Sequence, residues 1–184
     1  SQYGSPEEIF LQRSGIAHRL DKATSGILLI GKHPAALLQL LKLFKERKIQ
    51  KEYLCLVHNR LPEKESIVNA PIGRSIKNRQ RFTVTHDGRE AITSYQVLSE
   101  YRNKDGKIFS LVQCQPKTGR THQIRVHTSA SGFPIVGDLK YSSKTLNSDM
   151  EKRMYLHCSS LEILEKDLKI TSKVPNSFFQ PFEV

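Results

Sequence analysis

A single carboxylate, Asp21, stands between Arg19 and Lys22 in the stretch His18-Arg-Leu-Asp-Lys-Ala-Thr-Ser-Gly26, just ahead of an apolar run. In so basic a chain an acid at this point has four readings: turn residue, salt-bridge partner, metal ligand or nucleophile. Alone it favours the first, because Asp commonly closes a turn through its own side chain. A second stretch changes the balance. Pro116-Lys-Thr-Gly-Arg-Thr-His-Gln-Ile-Arg-Val-His127 opens a helical pattern with a Gly turn, Arg120, Arg125 and two histidines. Free N–H groups at a helix start attract anions, and Arg120 strengthens that pull. His122 and His127 are five residues apart, which sets them well apart around a helix, unlike the i, i+4 pair of a zinc site. They read as core or substrate-contacting histidines, and no metal-ligand set is visible. No Gly-x-Ser-x-Gly, P-loop or Gly-x-Gly-x-x-Gly occurs, and no Ser/His, Cys/His or paired-carboxylate set stands out.

Elements of ordinary kinds must position these groups. Gly26 to Gly31 is apolar on both faces and bounded by glycine, which predicts a buried strand. His33-Pro34 starts a helix with Pro in its first turn, and Leu37, Leu38, Leu40, Leu41 and Phe44 form its apolar stripe. Lys51 to Val57 is again apolar on both faces and predicts an interior strand, with Tyr53, Cys55 and Val57 on one side. Gly73 to Arg89 carries Arg74, Lys77, Arg79, Arg81 and Arg89 against the one acid Asp87, so a basic loop or long hairpin is expected there. Ala91 to Glu100 and Lys107 to Gln115 predict two strands joined by the turn signal Arg102-Asn-Lys-Asp-Gly106. Thr121 to Ala130 predicts a helix stopped by Gly132 and Pro134. Strands follow at Leu156 to Ile163 and Asp167 to Ser172, then an apolar, Pro-bounded tail, PNSFFQPF. Strands outnumber helices, so an α+β domain on a mixed, largely antiparallel central sheet with flanking helices is expected. Residues 1–14 read as a tail or connection, and residues 15–184 as one domain.

Charge narrows the partner. Lys and Arg outnumber Asp and Glu by 29 to 18, giving a net charge of +11 and a pI near 9.7. That points to a polyanion: nucleic acid first, anionic membrane second. The three cysteines are scattered and never form a C-x-x-C pair, so they read as reduced core thiols of an intracellular protein. No apolar run reaches membrane-spanning length, and no signal peptide is evident.

HRLDKATSG, then KEYLCLV, then TGRTHQIRVH with GFPIVGDLKY behind it, resemble the RluA-type pseudouridine synthases, in that family's order and at its approximate spacing. The resemblance covers about residues 15–163. It implies a mixed-sheet catalytic domain with a cleft across its middle, the pseudouridine synthase fold. It also implies conversion of uridine in rRNA or tRNA to pseudouridine by an aspartate-dependent route without metal or organic cofactor. Carried over by position, Asp21 is the catalytic aspartate, Tyr53 the tyrosine that stacks on the base and moves a proton, and Arg125 the arginine that pairs with the aspartate. Ile124 lines the uracil pocket and Arg19 takes the space of the flipped nucleotide. Arg74, Lys77, Arg79 and Arg81 sit on a loop that grips RNA, and Arg120 and His122 also contact substrate. The family's upstream Asn-Lys-Pro strand has no counterpart in residues 1–17, so part of the sheet or an accessory RNA-binding domain is expected to be missing. A monomer acting in the cytoplasm, nucleus or an organelle is expected. Two rivals stay open: an RNA-binding protein without activity, and a glycosidase that releases free uracil.

Overall fold

The computed structural model describes residues 4–143, 145–146 and 153–178. In chain order its elements are helix α1 (Pro6–Arg13), strand β1 (Ser25–Gly26), helix α2 (Pro34–Lys45) and strands β2 (Ile49–His58), β3 (Glu65–Asn69), β4 (Ile72–Arg74), β5 (Phe82–Val84), β6 (Ile92–Arg102) and β7 (Ile108–Pro116). Helix α3 (Gln123–Ala130) and strands β8 (Leu156–Ile163) and β9 (Leu168–Thr171) complete them. The main sheet runs β1-β8-β2-β7-β6-β3, with β9 also paired to β8, and only β1 and β8 are parallel. The expected α+β architecture on a largely antiparallel sheet is therefore present.

Strand β2 lies inside this sheet, between β8 and β7, and its apolar residues on both faces are what an interior strand needs. Tyr53, Cys55, Leu56 and Val57 are buried there, and Leu156, Cys158 and Leu161 of β8 pack beside them. Helix α3 lies against β5, β6 and β7, so its N-terminal turn opens over the middle of the sheet. Strands β4 and β5 form a separate two-stranded hairpin, as the basic stretch predicted, with Ser75 to Arg81 as its connection.

Three expectations need correction. Residues 26–31 do not form a buried strand: only Ser25 and Gly26 pair with β8, while Leu28 and Ile30 are exposed. Among the described residues no further strand covers this edge. The returning backbone at Gly15 to Ala17 bonds to it instead, and only Ile27 and Leu29 turn into the core. The tail at residues 1–14 contains helix α1, which carries a full capping box between Ser5 and Glu8 and packs on α2. The Ser-Pro-Glu-Glu sequence was the signal for it. In α2 the buried stripe is Leu37 and Leu43, with Leu40 and Phe44 partly buried against the core. Phe178 is buried against the Tyr155 and His157 rings; residues 179–184 of the expected tail lie outside the described residues.

Two glycines set the walls of the site. Gly26, at φ +114°, lets β1 close onto Cys158, whose carbonyl a Cβ would strike. Gly137, at φ +73°, lies so close to the Arg153 carbonyl that no side chain fits. The first glycine follows the Asp21 turn and the second precedes Asp138.

Candidate active site

Asp21 sits in the turn that leads into β1, and its carbonyl accepts the Thr24 N–H at 2.9 Å. His18 pins the start of this turn: its Nε2 accepts the Leu29 N–H at 3.0 Å, and its ring lies tilted against that of Phe44, with centroids 4.8 Å apart. Burial, aided by Lys51, lowers the His18 pKa to about 4, which keeps that nitrogen free to accept.

Arg125, in the first turn of α3, reaches across to Asp21. Its Nη1 donates to Asp21 Oδ2 at 2.8 Å. Its other edge grips Asp138 as a fork, Nε to Oδ2 at 2.7 Å and Nη2 to Oδ1 at 2.9 Å. The guanidinium also lies 5.0 Å over the Tyr141 ring. Burial opposes the charge of Arg125, but the hydrogen bonds to Asp138 and Asp21 outweigh it and raise its pKa. A bidentate Arg125–Asp21 pair, the geometry that orients a carboxylate best, is thus not what forms. The fork is spent on buried Asp138, and Asp21 takes the one remaining nitrogen. Among the described residues, Asp21 Oδ1 accepts no hydrogen bond, while the residue lines the adjoining cavity.

That cavity, of about 130 Å³, is lined by Asp21, Tyr53 and Arg125 together with Arg19, Ile124, Arg120 and His122. The predicted residues from three distant stretches therefore meet. Arg74, Lys77, Arg79 and Arg81 do not join them. They ride on the β4–β5 hairpin and its connection, where Arg74 lies over Phe82 and donates to the Arg79 carbonyl. Arg81 borders a neighbouring cavity of about 580 Å³ that Arg125, Asp138 and Lys140 also line. The hairpin is tied to the site by Tyr141, whose hydroxyl accepts the Phe82 N–H at 3.0 Å and bonds His122 Nδ1 at 2.8 Å.

His122 caps α3 in a left-handed conformation, φ 57°, so the helix starts at Gln123, two residues later than predicted. Its Nε2 lies 3.9 Å from Asp21 Oδ2. Burial lowers its pKa, with Asp21 opposing and Arg125 reinforcing the shift. His127 is a core residue: its Nδ1 bonds Thr93 Oγ1 and its Nε2 the Ala70 carbonyl, each at 2.9 Å. Among the described residues no cluster of three or more His, Cys, Asp or Glu is placed to hold a metal ion, and no helix is long and apolar enough to cross a membrane. Burial, then the neighbouring Cys158, pushes the Tyr53 phenol well above its ordinary pKa, so it carries its proton at neutral pH.

Sequence reasoning gave no role to Asp138, Tyr141 or Lys51, all of which touch this centre. An acid inside the apolar run Phe-Pro-Ile-Val-Gly-Asp was a legible signal, since a buried carboxylate needs a cation.

The solved structure of human RNA pseudouridylate synthase domain containing 1 matches this fold with a TM-score of 0.80 at 30% identity, covering 96% of this chain and 75% of that one. Residues 7–130 match the family described as RNA pseudouridylate synthase. Among its relatives, the uncharacterized RNA pseudouridine synthase YlyB of Bacillus subtilis (strain 168) is 42% identical over 134 residues, 73% of this chain and 43% of that protein. Ribosomal large subunit pseudouridine synthase C of Buchnera aphidicola subsp. Schizaphis graminum is 36% identical over 169 residues, 88% and 51% of the two chains. The chain belongs to the RNA pseudouridylate synthase family, of the RluA type. It spans about half the length of the curated relatives it matches.

Proposed function

We infer that residues 15–184 are the catalytic domain of an RNA pseudouridine synthase that isomerises uridine with Asp21 as its acting group. The observation that carries this reading is the divided guanidinium of Arg125. It anchors Asp21 by one oxygen and leaves the other without a hydrogen bond among the described residues, in a residue that lines a cavity with an aromatic and an apolar wall.

The reaction breaks the N1–C1′ bond, turns the uracil over and joins C5 to C1′. The C5 proton is lost and N1 gains one. A stacked base hides its glycosidic bond, so the nucleotide first leaves the helix, at a cost of a few kcal/mol. Arg19, exposed at the cavity rim, fills the vacated space. Asp21 Oδ1 then acts at the ribose, by attack on C1′ or by removal of the 2′ proton. Deuterium at C2′ separates the two, since only the second breaks the C2′–H bond and shows a primary isotope effect. Tyr53 and Ile124 hold the freed uracil while it turns. Because the Tyr53 phenol keeps its proton, it begins as a donor to the base and serves proton removal at C5 only after giving that proton up.

Ribosomal RNA is the favoured substrate, since relatives named for the large ribosomal subunit are 36% and 35% identical to this chain over 88% of it. Transfer RNA is the second choice. An RNA substrate puts the work of the protein inside the cell, where it acts as a monomer. The test is nucleoside analysis of large-subunit rRNA and tRNA transcripts after treatment. The parent protein gives pseudouridine, and Asp21→Asn lowers its rate on the order of a thousandfold or more. Free uracil would mean a glycosidase instead. Tight binding without either product would mean a non-catalytic RNA-binding protein.

A further inference from the structure

Phe82, the first residue of β5, reaches the active site twice. Its N–H donates to the Tyr141 hydroxyl at 3.0 Å, and its ring stands edge to face with the His122 imidazole, centroids 5.8 Å apart. The Arg74 guanidinium of the same hairpin lies 5.5 Å over that ring. Phe82 and Tyr141 pack on a small apolar cluster, Ile72, Ala91 and Val126, which is separate from the main core. Ile72 comes from β4 and Val126 from α3, so this cluster is what seats the hairpin on the helix.

The Tyr141 hydroxyl has a single hydrogen to give. It accepts the Phe82 N–H, and among the described residues its one other partner is His122 Nδ1 at 2.8 Å. The hydrogen therefore goes to that nitrogen. Nδ1 is the acceptor, and a neutral imidazole must carry its own proton on Nε2. Burial lowers the His122 pKa, which favours the neutral ring. Nε2 is 3.9 Å from Asp21 Oδ2, the oxygen that Arg125 Nη1 holds, and makes no hydrogen bond among the described residues. In the other tautomer a lone pair would stand there, and it would repel the carboxylate. The backbone also asks for a reason to have histidine at this point. His122 starts α3 in the left-handed region, φ 57°, yet its side chain does not cap the helix. Gly or Asn adopts that backbone more readily, so the imidazole serves something other than the helix start.

We propose that Tyr141 is a positioning residue that passes the seating of the β4–β5 hairpin on to Asp21. The Phe82 N–H orients its hydroxyl, the hydroxyl fixes the tautomer of His122, and His122 keeps Nε2–H beside Oδ2. The proposal rests on the RNA synthase reading for what Asp21 then does. A hairpin lifted from α3 withdraws the Phe82 N–H and frees the phenol to turn. His122 then exchanges tautomers, and Asp21 keeps Arg125 but meets a lone pair for part of the time. Substrate that holds the hairpin down keeps the carboxylate supported.

Long-range proton–nitrogen correlation spectra of the whole chain read the His122 tautomer without RNA, its signal being assigned by loss in His122→Asn. The parent shows the proton on Nε2. Tyr141→Phe keeps the ring beneath Arg125 and removes the hydroxyl. In it the His122 signal moves toward the Nδ1–H form, kcat on rRNA falls about tenfold and KM holds. Phe82→Ala, which leaves the N–H but unpacks the hairpin, moves the signal the same way. His122→Asn slows turnover by a similar factor, and adding Tyr141→Phe to it costs nothing more, because one acts through the other. A parent His122 protonated on Nδ1 would overturn the proposal. So would a tautomer indifferent to Tyr141→Phe or to Phe82→Ala, or losses that multiply in the double variant. A Tyr141 that merely braced the fold would, on becoming Phe, lower the thermal midpoint and raise KM with the tautomer unchanged, which also sinks the idea. A parent that makes no pseudouridine defeats the synthase reading alone, and the spectra still decide the role of Tyr141.

Discussion

Arg125 divides one guanidinium between two carboxylates, and the division is unequal. Asp138, fully buried, takes both nitrogens of one edge, while Asp21 takes a single N–H. Asp138 therefore fixes where the guanidinium points, and Asp21 reads that position. A lysine at 125 keeps the charge but cannot hold the Asp138 fork and reach Asp21 together. Arg125→Lys is expected to fold, to bind RNA and to turn over about a hundredfold more slowly, the usual result of a misplaced acting group. Single-turnover conversion of rRNA checks this, and full turnover would mean that orientation of Asp21 does not depend on the fork. Tyr53 separates in the same way. Tyr53→Phe keeps the ring and removes the hydroxyl, so KM is retained while kcat falls about a hundredfold if the proton is moved there. An unchanged kcat leaves Tyr53 with stacking only.

At the scale of elements, the turn from His18 to Gly26 depends on a neutral imidazole. Protonated His18 has no lone pair for the Leu29 N–H, and the turn that presents Asp21 loses its tie to residues 27–31. The folded pKa, about 4, is below the ordinary 6.5, so between those values the unfolded chain binds more protons than the folded one. Stability contributed by His18 is thus complete above about pH 6.5 and is lost as pH falls toward 4, by roughly 2 kcal/mol after allowance for its half-buried setting. His122, His127 and His157 shift in the same direction and add to the slope. Urea unfolding from pH 7 to pH 4 should show the decline, and His18→Gln should flatten part of it. A His18→Gln profile parallel to the parent's would remove His18 from this role.

At the scale of the molecule, the sheet encloses its chemistry and its thiols alike. Cys55, Cys114 and Cys158 are free and fully buried on adjacent strands β2, β7 and β8. Burial raises the pKa of Cys114 and Cys158, which further lowers their thiolate content. Ellman's reagent is expected to label none of them in the native protein at pH 8 and all three in denaturant. Native labelling at the unfolded rate would mean that the sheet opens between β2 and its neighbours. The net charge of +11 is also a property of the whole. Eight of its lysines and arginines line a cleft of about 880 Å³ that adjoins the Asp21 cavity, and others ride on the β4–β5 hairpin and its connection.

Local chemistry made much of this readable in advance. The β2 run, the β6–β7 hairpin, the basic β4–β5 hairpin and the strand at Leu156 to Ile163 were plain in the sequence, because interior strands are apolar on both faces and turns carry Gly, Asn and Asp. So were the residues of the cavity, from the HRLD and GRTHQIR stretches. Residues 26–31 misled for the same reason that β2 did not: an apolar run states that it wants cover but not whether a neighbouring strand exists to give it. Helix α1 was passed over although its capping box is written in Ser5 and Glu8. What the sequence determined by itself was the inventory: one acid among cations, a basic surface and a largely antiparallel sheet. Only the tertiary structure decided that the fork of Arg125 belongs to Asp138, that Asp21 is held by one oxygen at a cavity, and that scattered lysines from α2, β2, the turn after β7 and β9 line one cleft. Those are distances between residues far apart in the chain, and they are set by how the sheet packs rather than by any local preference.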